Sequence, residues 1–269
     1  MNPKNRCICP AAQLYTVRDF TKTPEAIETT LRKIKAIGFQ AIQISGFGPI
    51  EPGRLAALVA ELGLDVCITH SPWERMRDDL DALIAEHRLL HCDTIGLGYL
   101  PSEYHGSVAG ISAFLKDAGE IAKRIADAGL RFAYHNHAFE LERLENGRLR
   151  LDMLIEDSDE KEFGFILDTY WLQYGGVNPA KYIRRVAGRM KVCHFKDYAV
   201  IDNTPTFAEV GCGNLNLREA YRACRESGVQ YIAIEQDTCP RDPFDCLRVS
   251  LVNLEKLALS VDSIRSSSS

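Results

Sequence analysis

The stretch Pro24–Ile44, PEAIETTLRKIKAIGFQAIQI, contains one complete helix-to-strand unit. Its first part has the helical spacing of apolar side chains, and Pro24 in the first turn costs no hydrogen bond. Gly38 supplies a positive φ after the helix, and the apolar run Ala41–Ile44 then predicts a strand. A helix that ends in glycine and leads directly into an apolar strand is typical of proteins in which strands and helices alternate.

The same unit recurs along the chain, with glycine again between a helical and an apolar segment at Gly63, Gly129 and Gly228. The candidate strands are Ala11–Leu14, Ala41–Ile44, Asp65–Ile68, Thr94–Leu97, Arg131–Tyr134, Phe163–Leu167, Met190–Phe195 and Tyr231–Ile234. The helical segments are predicted to begin near Pro24, Pro52, Arg77, Val108, Asp152, Pro179, Leu217 and Pro243. Eight such pairs in 269 residues predict an α/β fold, the (β/α)8 TIM barrel, for which about 250 residues are typical.

The domain organisation follows from the lack of any linker within the body of the sequence. We expect a single barrel domain over residues 1–265 and a disordered Ser-rich tail over residues 266–269. The polar segment Leu141–Leu151 contains Asn146-Gly147, a two-residue turn signal, and predicts either a small hairpin or an excursion before the next helix.

The composition argues against several kinds of partner. Hydrophobic residues make up 46% and charged residues 26% of the chain, which is ordinary for a soluble globular protein. The net charge of -5 comes from interspersed acids and bases, so no basic stripe indicates nucleic-acid binding. No apolar run approaches the ~18 residues of a membrane span, and the first ten residues lack the apolar core of a signal peptide. We therefore expect a cytoplasmic protein, and a homo-oligomer stays open.

The nine cysteines are scattered along the chain rather than paired at regular spacings. Cys67 and Cys193 lie inside apolar runs, where a reduced thiol behaves as a small hydrophobe. Cys7 and Cys9 are separated by one residue and have no second pair with which to complete a zinc site. Free thiols in a reducing compartment are the expected state.

Polar residues follow seven of the eight predicted strands, and only the fourth strand has none. In a barrel of this kind the active site lies where the carboxyl ends of the strands meet the following loops. The strand-end residues are Gln13, Gln43, His70, His135-Asn136-His137, Asp168, His194-x-Lys196 and Glu235. We expect these side chains to converge on one mouth of the barrel.

Three of these residues, Asp168, His194 and Glu235, come directly after or within buried apolar runs. An unpaired charge in such a place costs several kcal/mol, and a divalent cation would remove that cost. With His135 from the preceding strand they form a mixed oxygen and nitrogen set that suits one ion of Mn²⁺, Co²⁺, Zn²⁺, Fe²⁺ or Mg²⁺. The alternative for each residue alone is a hydrogen-bonded polar side chain at a strand end.

The motifs at these strand ends resemble the xylose-isomerase-like TIM barrels known as sugar phosphate isomerases and epimerases. They are Gln13-Leu-Tyr-Thr-Val-Arg-Asp19, Tyr134-His-Asn-His-Ala-Phe-Glu140, Leu167-Asp-Thr-Tyr-Trp171, Val192-Cys-His-Phe-Lys-Asp197 and Ile234-Glu235. The resemblance covers nearly the whole chain, and it implies that Asp168, His194 and Glu235 bind one catalytic metal ion.

The fifth strand departs from the family pattern. Sugar epimerases and isomerases of the family usually carry a metal-binding glutamate there, and a pair of glutamates exchanges the proton on opposite faces of the substrate. Here the matching residue is His135, with His137 on the same face of the strand as an alternative ligand or a substrate contact. A histidine at this position puts a two-glutamate mechanism in doubt.

The chemistry expected of such a site is proton transfer next to a carbonyl group. A divalent metal that holds neighbouring carbonyl and hydroxyl oxygens acidifies the C–H bond between them and stabilises the resulting enediolate. Glu235 is the leading general base, and Glu140 or His137 is a candidate for returning the proton. Lys196 is a candidate for stabilising the oxyanion, and its alternative is a salt bridge to Asp197 or another acid at the rim.

Several further residues are candidates for substrate binding, each with a structural alternative. His70 is expected either to hydrogen-bond substrate hydroxyls or to stabilise the barrel mouth. Trp73 and Trp171 offer apolar faces to a sugar ring, or pack against other residues at the rim. Gln13 and Gln43 contact the ligand or cap the mouth.

Two loop features have less specific interpretations. Arg18 is a candidate for binding a phosphate or carboxylate, although its loop has no glycine-rich phosphate cradle. Gly211-Cys-Gly-Asn214 suits a loop close to the ligand, and equally a tight turn.

The leading functional hypothesis is a metal-dependent isomerase or epimerase that acts on a keto-sugar, polyol or sugar phosphate. The first alternative is a lyase or dehydratase of keto-sugars or inososes, which His135 favours. A nuclease similar to the apurinic-site endonucleases of this barrel would need a three-zinc cluster and a basic face. A sugar-binding barrel without catalytic activity is the remaining alternative.

Overall fold

The computed structural model describes residues 7–266, with side chains to residue 261. Eight parallel strands form a barrel: β1 (Cys9–Gln13), β2 (Ala41–Ile44), β3 (Asp65–Ser71), β4 (Thr94–Leu97), β5 (Arg131–His135), β6 (Phe163–Ile166), β7 (Val192–Phe195) and β10 (Tyr231–Ile234). The strands are hydrogen-bonded in the order β6-β5-β4-β3-β2-β1-β10-β7. At the seam between β6 and β7 the His194 amide donates to the Leu167 carbonyl at 2.9 Å. The predicted (β/α)8 barrel is confirmed.

Helices cover the outside of the barrel. They are α1 (Pro24–Ile37), α2 (Pro52–Leu62), α3 (Trp73–Asp78), α4 (Leu80–Leu89), α5 (Val108–Asp127), α6 (Arg150–Asp157), α7 (Thr169–Tyr174), α8 (Pro179–Arg185), α9 (Leu217–Ser227) and α10 (Pro243–Ser266). In α1 the Thr23 hydroxyl accepts the Ala26 amide, and Gly38 ends the helix at φ 123°. Ile27, Leu31 and Ile34 bury the face that their spacing predicts.

The core has two parts, one inside the barrel and one between strands and helices. The inner part is built from mostly small side chains: Ala11, Ala41, Cys67, Ile68, Ala133, Ile166, Val192 and Ala233. The outer part holds the large apolar side chains, such as Phe114, Phe132 and Phe163. The inner cluster fills the barrel and leaves its carboxyl-end mouth to the polar strand-end residues.

Several predicted boundaries differ from the structure. The segment expected to begin near Arg77 is two helices, because Asp79 interrupts it with φ -142° and ψ 38°. The helix α7, which follows Asp168 directly, is additional to the predicted set. The last helix continues to Ser266, where the tail was expected to begin, and residues 267–269 lie outside the described residues.

Two β-hairpins are added to the (β/α)8 barrel. The segment 141–151 forms the smaller one, with an antiparallel bridge between Arg143 and Leu149. The second hairpin, β8 (Asp197–Ile201) with β9 (Thr204–Ala208), follows β7 directly and was not predicted. Within the described residues, no helix combines the length and the hydropathy that crossing a membrane requires.

Asp197 fixes the loop that connects this second hairpin to α9. Its Oδ2 accepts the amides of Gly211 and Gly213 at 2.9 and 3.0 Å. Its Oδ1 accepts the amides of Tyr198 and Leu215 at 2.8 and 3.2 Å. A Cβ atom on Gly213 would lie 2.5 Å from Oδ1, so the glycine is needed for close approach. The loop is therefore a tight turn around a buried carboxylate.

We expect Asp197→Ala to lower the free energy of unfolding by about 2–4 kcal/mol, because it leaves several amides without their acceptor. Denaturant unfolding followed by circular dichroism measures this. Asp127→Ala is the matched control, since Asp127 lies on the surface with an i,i+4 partner, Lys123, and should change stability by less than about 0.5 kcal/mol. Equal effects of the two substitutions would contradict the anchoring role.

Candidate metal centre

Four buried side chains converge at the carboxyl end of the barrel: His135, Asp168, His194 and Glu235. His135 ends β5 and His194 lies in β7, while Asp168 and Glu235 follow β6 and β10. One ligand atom from each residue lies within 4.8 Å of the other three. The structure thus brings together the four residues that the sequence analysis selected, and it places His137 outside this group.

The two imidazoles each have one nitrogen engaged by the protein and one that faces the cluster. His194 Nε2 lies 2.7 Å from Gln43 Oε1, so it carries the proton of that hydrogen bond. His194 Nδ1 then presents a lone pair, 2.9 Å from Glu235 Oε2. Similarly, His135 Nδ1 donates to the Gly98 carbonyl at 3.3 Å, and its Nε2 lies 3.4 Å from Asp168 Oδ2. Such outer hydrogen bonds are typical of metal-binding histidines.

The two carboxylates likewise each have one oxygen that is hydrogen-bonded within the protein and one that faces the cluster. Asp168 Oδ1 accepts the amides of Tyr170 and Trp171 at 2.9 and 3.1 Å, which caps the amino end of α7. Glu235 Oε1 accepts a hydrogen bond from Gln13 Nε2 at 3.0 Å. In both residues the second oxygen faces the cluster. Each of the four side chains therefore turns one donor atom toward the cluster, as a bound cation requires.

Lys196 joins this group from the strand end after β7. Its ammonium lies 3.3 Å from Asp168 Oδ2, 3.0 Å from Glu235 Oε2 and 2.9 Å from Asp237 Oδ1. Burial alone would lower the pKa of Lys196, but the three carboxylates outweigh it and raise that pKa. The alternative that Lys196 forms a salt bridge with Asp197 is wrong, because Asp197 binds backbone amides. The alternative that Lys196 pairs with another acid at the rim is confirmed, and that acid is Asp237.

The charges and the unpaired atoms both fit a divalent cation. Three carboxylates face one ammonium, so two negative charges stay uncompensated when both histidines are neutral. His194 Nδ1 and Glu235 Oε2 face each other at 2.9 Å. The nitrogen is buried without a hydrogen-bond partner, and the oxygen has the Lys196 ammonium at 3.0 Å as an ion-pair partner. A proton on His194 is the alternative: Asp168 and Glu235 outweigh the opposing effect of burial and raise its pKa. A divalent ion among these donors would balance the charge and satisfy both atoms.

The cluster lies at the floor of a cavity of about 650 Å³. The cavity is lined by Gln13, Tyr15, Arg18, Ser45, His70, Ser71, Pro72, Trp73, Glu74, Leu97, Gly98, Tyr99, Pro101, His135, His137, Lys196, Glu235, Asp237 and Thr238. Of the predicted substrate contacts, Gln13, His70 and Trp73 therefore reach it. Gln43 lies behind His194, and Trp171 packs against the His137 ring with centroids 5.5 Å apart.

Two glycines, Gly96 in β4 and Gly98 directly after it, explain why that strand end carries no polar side chain. A Cβ atom on Gly98 would lie 2.9 Å from His70 Nδ1, and one on Gly96 would lie 2.3 Å from the Thr69 carbonyl. The imidazole of His70 fills this space, with its centroid 5.1 Å from that of His135. The strand contributes to the centre through the Gly98 carbonyl instead of through a side chain.

Glu140, predicted as a catalytic residue, lies behind the site. It is fully buried in the short 3-10 turn Phe139–Leu141 and does not line the cavity. Its Oε1 accepts the Tyr134 hydroxyl at 2.5 Å, and its Oε2 accepts the His137 amide at 2.8 Å. Glu140 therefore positions the backbone of His137 and does not reach a bound substrate.

Other residues of the centre were missed at the level of sequence. Asp237 contacts Lys196, and its position two residues after Glu235 on the same side of the chain was the available signal. Asn136 Oδ1 accepts the Asp168 amide at 3.1 Å. Arg18, a proposed anion contact, lines the cavity but donates to the carbonyls of Tyr15 and Asp237.

A sequence model of the xylose isomerase-like TIM barrel family matches residues 31–244. The chain belongs to this family. A comparison with curated proteins finds no match.

Solved structures with this fold include a sugar phosphate isomerase/epimerase from Parabacteroides distasonis, with a TM-score of 0.76 and 19% identity over 94% of this chain and 95% of that one. An L-ribulose 3-epimerase has a TM-score of 0.76 and 16% identity over 98% of each chain. A probable 3-DHS dehydratase from Bacillus anthracis has a TM-score of 0.71 and 12% identity over 92% of this chain and 99% of that one. At these identities the likeness shows the fold alone.

The Gly98 contact yields a test of the centre. We expect Gly98→Ala to weaken Mn²⁺ binding at least tenfold, because the added methyl group displaces His70 and the neighbouring His135. Isothermal titration of the metal-free protein measures this. Gly119→Ala is the control, since no atom lies within 4 Å of its Cβ position and the helix α5 gains stability from alanine. Unchanged Mn²⁺ affinity in Gly98→Ala would contradict the arrangement.

The buried carboxyl of Glu140 predicts a pH dependence of stability. Burial raises its pKa to about 7 from an ordinary value of 4.5, so the folded protein holds a proton that the unfolded chain releases. The contribution of this group to stability is therefore fully present below pH ~4.5 and is lost as the pH rises to ~7, by up to about 3 kcal/mol.

Glu140→Gln cannot release a proton and should escape this loss. Its free energy of unfolding relative to the wild type should therefore increase between pH 5 and pH 8. Chelator-treated protein keeps metal occupancy out of the comparison. A difference that does not change with pH would show that Glu140 is ionised throughout this range.

Proposed function

We propose that the protein is a divalent-metal-dependent isomerase or epimerase that acts on a keto-sugar, polyol or sugar phosphate. The observation that carries the proposal is the cluster of four donor atoms at the floor of the cavity, each on a side chain whose other polar atom is already engaged. Family membership and the names of the structural neighbours support a sugar-processing enzyme.

The metal ion would be held by His135, Asp168, His194 and Glu235. When bound, it supplies Lewis acidity that polarises neighbouring carbonyl and hydroxyl oxygens of the sugar and acidifies the C–H bond between them. Gln13 and Gln43 hold Glu235 and His194 in the orientation that this requires. We assign these two residues a positioning role.

Two groups at the cavity floor are suited to proton transfer. Glu235 is the proposed general base, because it is ionised: Lys196 and His194 outweigh burial and lower its pKa. Burial, with His135 and Lys196 nearby, lowers the pKa of His137 to about 2, so its imidazole is neutral. His137 Nδ1 has no hydrogen-bond partner within the described structure and can accept or relay a proton. Glu140 acts through His137, whose amide it holds.

Lys196 is the proposed oxyanion stabiliser. Its ammonium is fully buried, carries its charge at neutral pH and lies beside Glu235, where the proton is removed. Negative charge that develops on the substrate in such a dry environment is stabilised more strongly than it would be in water. Asp237 holds the ammonium at 2.9 Å from the side of the rim.

A dehydratase acting on a keto-sugar or inosose is the second candidate. The observation that favours it is His135, which stands where a second metal-binding glutamate would be needed for proton exchange on both faces. Asp237, which lines the cavity and whose pKa burial raises to about 6, is then the candidate for protonating a departing hydroxyl group. One structural neighbour carries the name of a probable dehydratase.

A nuclease with a three-metal cluster finds less support. In the part of the chain that the structure describes, one group of His, Cys, Asp or Glu residues has the geometry to hold a metal, and it has four members. A sugar-binding barrel without catalysis stays an alternative that the following experiment addresses.

Incubation of Mn²⁺-loaded protein with a panel of keto-sugars and their phosphates in D₂O separates the candidates by NMR. An isomerase or epimerase gives products of the same composition with deuterium at the carbon next to the carbonyl, whereas a dehydratase gives products that have lost water. We expect deuterium incorporation without loss of water, and a rate at least 100-fold lower in Glu235→Gln.

Glu120→Gln on the surface of α5 is the control and should leave the rate unchanged. The metal content of Glu235→Gln separates loss of the base from loss of the ion. Absence of exchange across the panel in the metal-loaded wild type would overturn the catalytic proposal.

A further inference from the structure

One side of the cavity is apolar. It is formed by Pro72, Trp73, Leu97, Tyr99 and Pro101, which we call the apolar wall. These residues come from the ends of β3 and β4 and the segments that follow them. Tyr99 is 51% exposed, whereas Trp73 is buried against Tyr104 and Phe114.

The apolar wall begins next to the metal centre. The Tyr99 ring lies 5.0 Å from the His137 ring, and the His137 ring lies 4.8 Å from that of His135. A single imidazole therefore separates the exposed tyrosine from the cluster. The Tyr99 ring also packs against Phe139 and His105, and its exposed part is within reach of a group attached to a sugar that is held at the cluster.

The cavity is larger than one sugar needs. A hexose takes up on the order of 200 Å³, the share of about seven water molecules of ~30 Å³ each. The cavity measures about 650 Å³, within the range of roughly 300–1,000 Å³ of sites that enclose larger ligands. The space beyond a single sugar ring is bounded in part by the apolar wall.

The polar side of the cavity is a poor site for a phosphate group. The Lys and Arg residues among its lining are Arg18 and Lys196, and each already has partners within the protein. Arg18 donates to the carbonyls of Tyr15 and Asp237 at 2.9 and 3.0 Å, and Lys196 is surrounded by three carboxylates. With a divalent ion bound, its charge balances Asp168 and Glu235, Asp237 balances Lys196, and Glu74 balances Arg18. The lining therefore offers a phosphate dianion no excess positive charge.

We infer that the substrate is an uncharged keto-glycoside, in which the sugar ring carries its carbonyl group at the metal centre and a ring-shaped aglycone packs against Tyr99. This inference rests on the proposed function, since the sugar occupies the same centre. It narrows the substrate class from sugars and sugar phosphates to keto-glycosides, for which simple glycosides serve as binding probes.

Isothermal titration of the Mn²⁺-loaded protein tests it with pyranosides of the gluco, galacto, manno and xylo series. For each sugar the methyl glycoside, the phenyl glycoside and the disaccharide are compared, and for the hexoses also the 6-phosphate. We expect the phenyl glycoside of at least one series to bind about tenfold more tightly than its methyl glycoside, which is the size of one aromatic stacking contact. The 6-phosphate should bind no more tightly than the free sugar.

Tyr99→Ala should remove this preference, whereas Tyr174→Ala should retain it. Tyr174 is a matched control because it is 52% exposed and packs against Tyr170 and Trp171 outside the cavity lining. Tighter binding of a 6-phosphate, no ring preference in any series, or an equal loss in both variants would overturn the inference.

A preference for the disaccharide over the phenyl glycoside would identify the aglycone as a second sugar, which also packs its C–H face on tyrosine. The titration does not depend on turnover. Tighter binding of the phenyl glycoside without conversion of any sugar would support this inference and contradict the proposed function. Conversion of a sugar without tighter binding of any phenyl glycoside would support the proposed function and contradict this inference.

Discussion

The structure depends on one constraint: carboxylates and imidazoles must be held together while buried, where an unpaired charge is costly. The barrel meets this constraint because each side chain uses one polar atom for a contact with the protein and turns its other polar atom toward the cluster. Asp168 uses one oxygen to cap α7, and Glu235 uses one to bind Gln13. Only the second oxygen of each carboxylate and the second nitrogen of each imidazole face each other. The apparent cost of the cluster is therefore confined to a few atoms that a single cation can satisfy.

The fold was predictable because the relevant signals are local and repeated. A helix, a glycine and an apolar strand recur often enough that small errors in boundaries do not alter the count of strands. The β8–β9 hairpin was missed because Pro205 obscures its second strand. Its turn was nevertheless visible as Asp202-Asn203, which adopt φ of 48° and 60°, as a two-residue hairpin turn requires.

The ligand set was predictable for a similar reason, since parallel strands bring their carboxyl ends to one mouth. The outer contacts were not, because they depend on the direction of individual side chains and carbonyl groups. Glu140 shows the difference: it belongs to the same motif as His135, yet a single 3-10 turn directs its carboxylate to Tyr134 and away from the cavity. Similarly, no sequence pattern predicts that the Gly98 carbonyl faces a histidine.

Gly96 in β4 and Gly98, which directly follows β4, also limit how this site can change over evolutionary time or by design. The space that a side chain at position 98 would need is taken by the ring of His70, and at position 96 by the backbone of β3. A fifth ligand from this strand, such as one for a second metal ion, therefore cannot be added by one substitution. His70 has to be replaced by a smaller residue before a side chain is introduced at position 98, so the packing sets the order of these two substitutions.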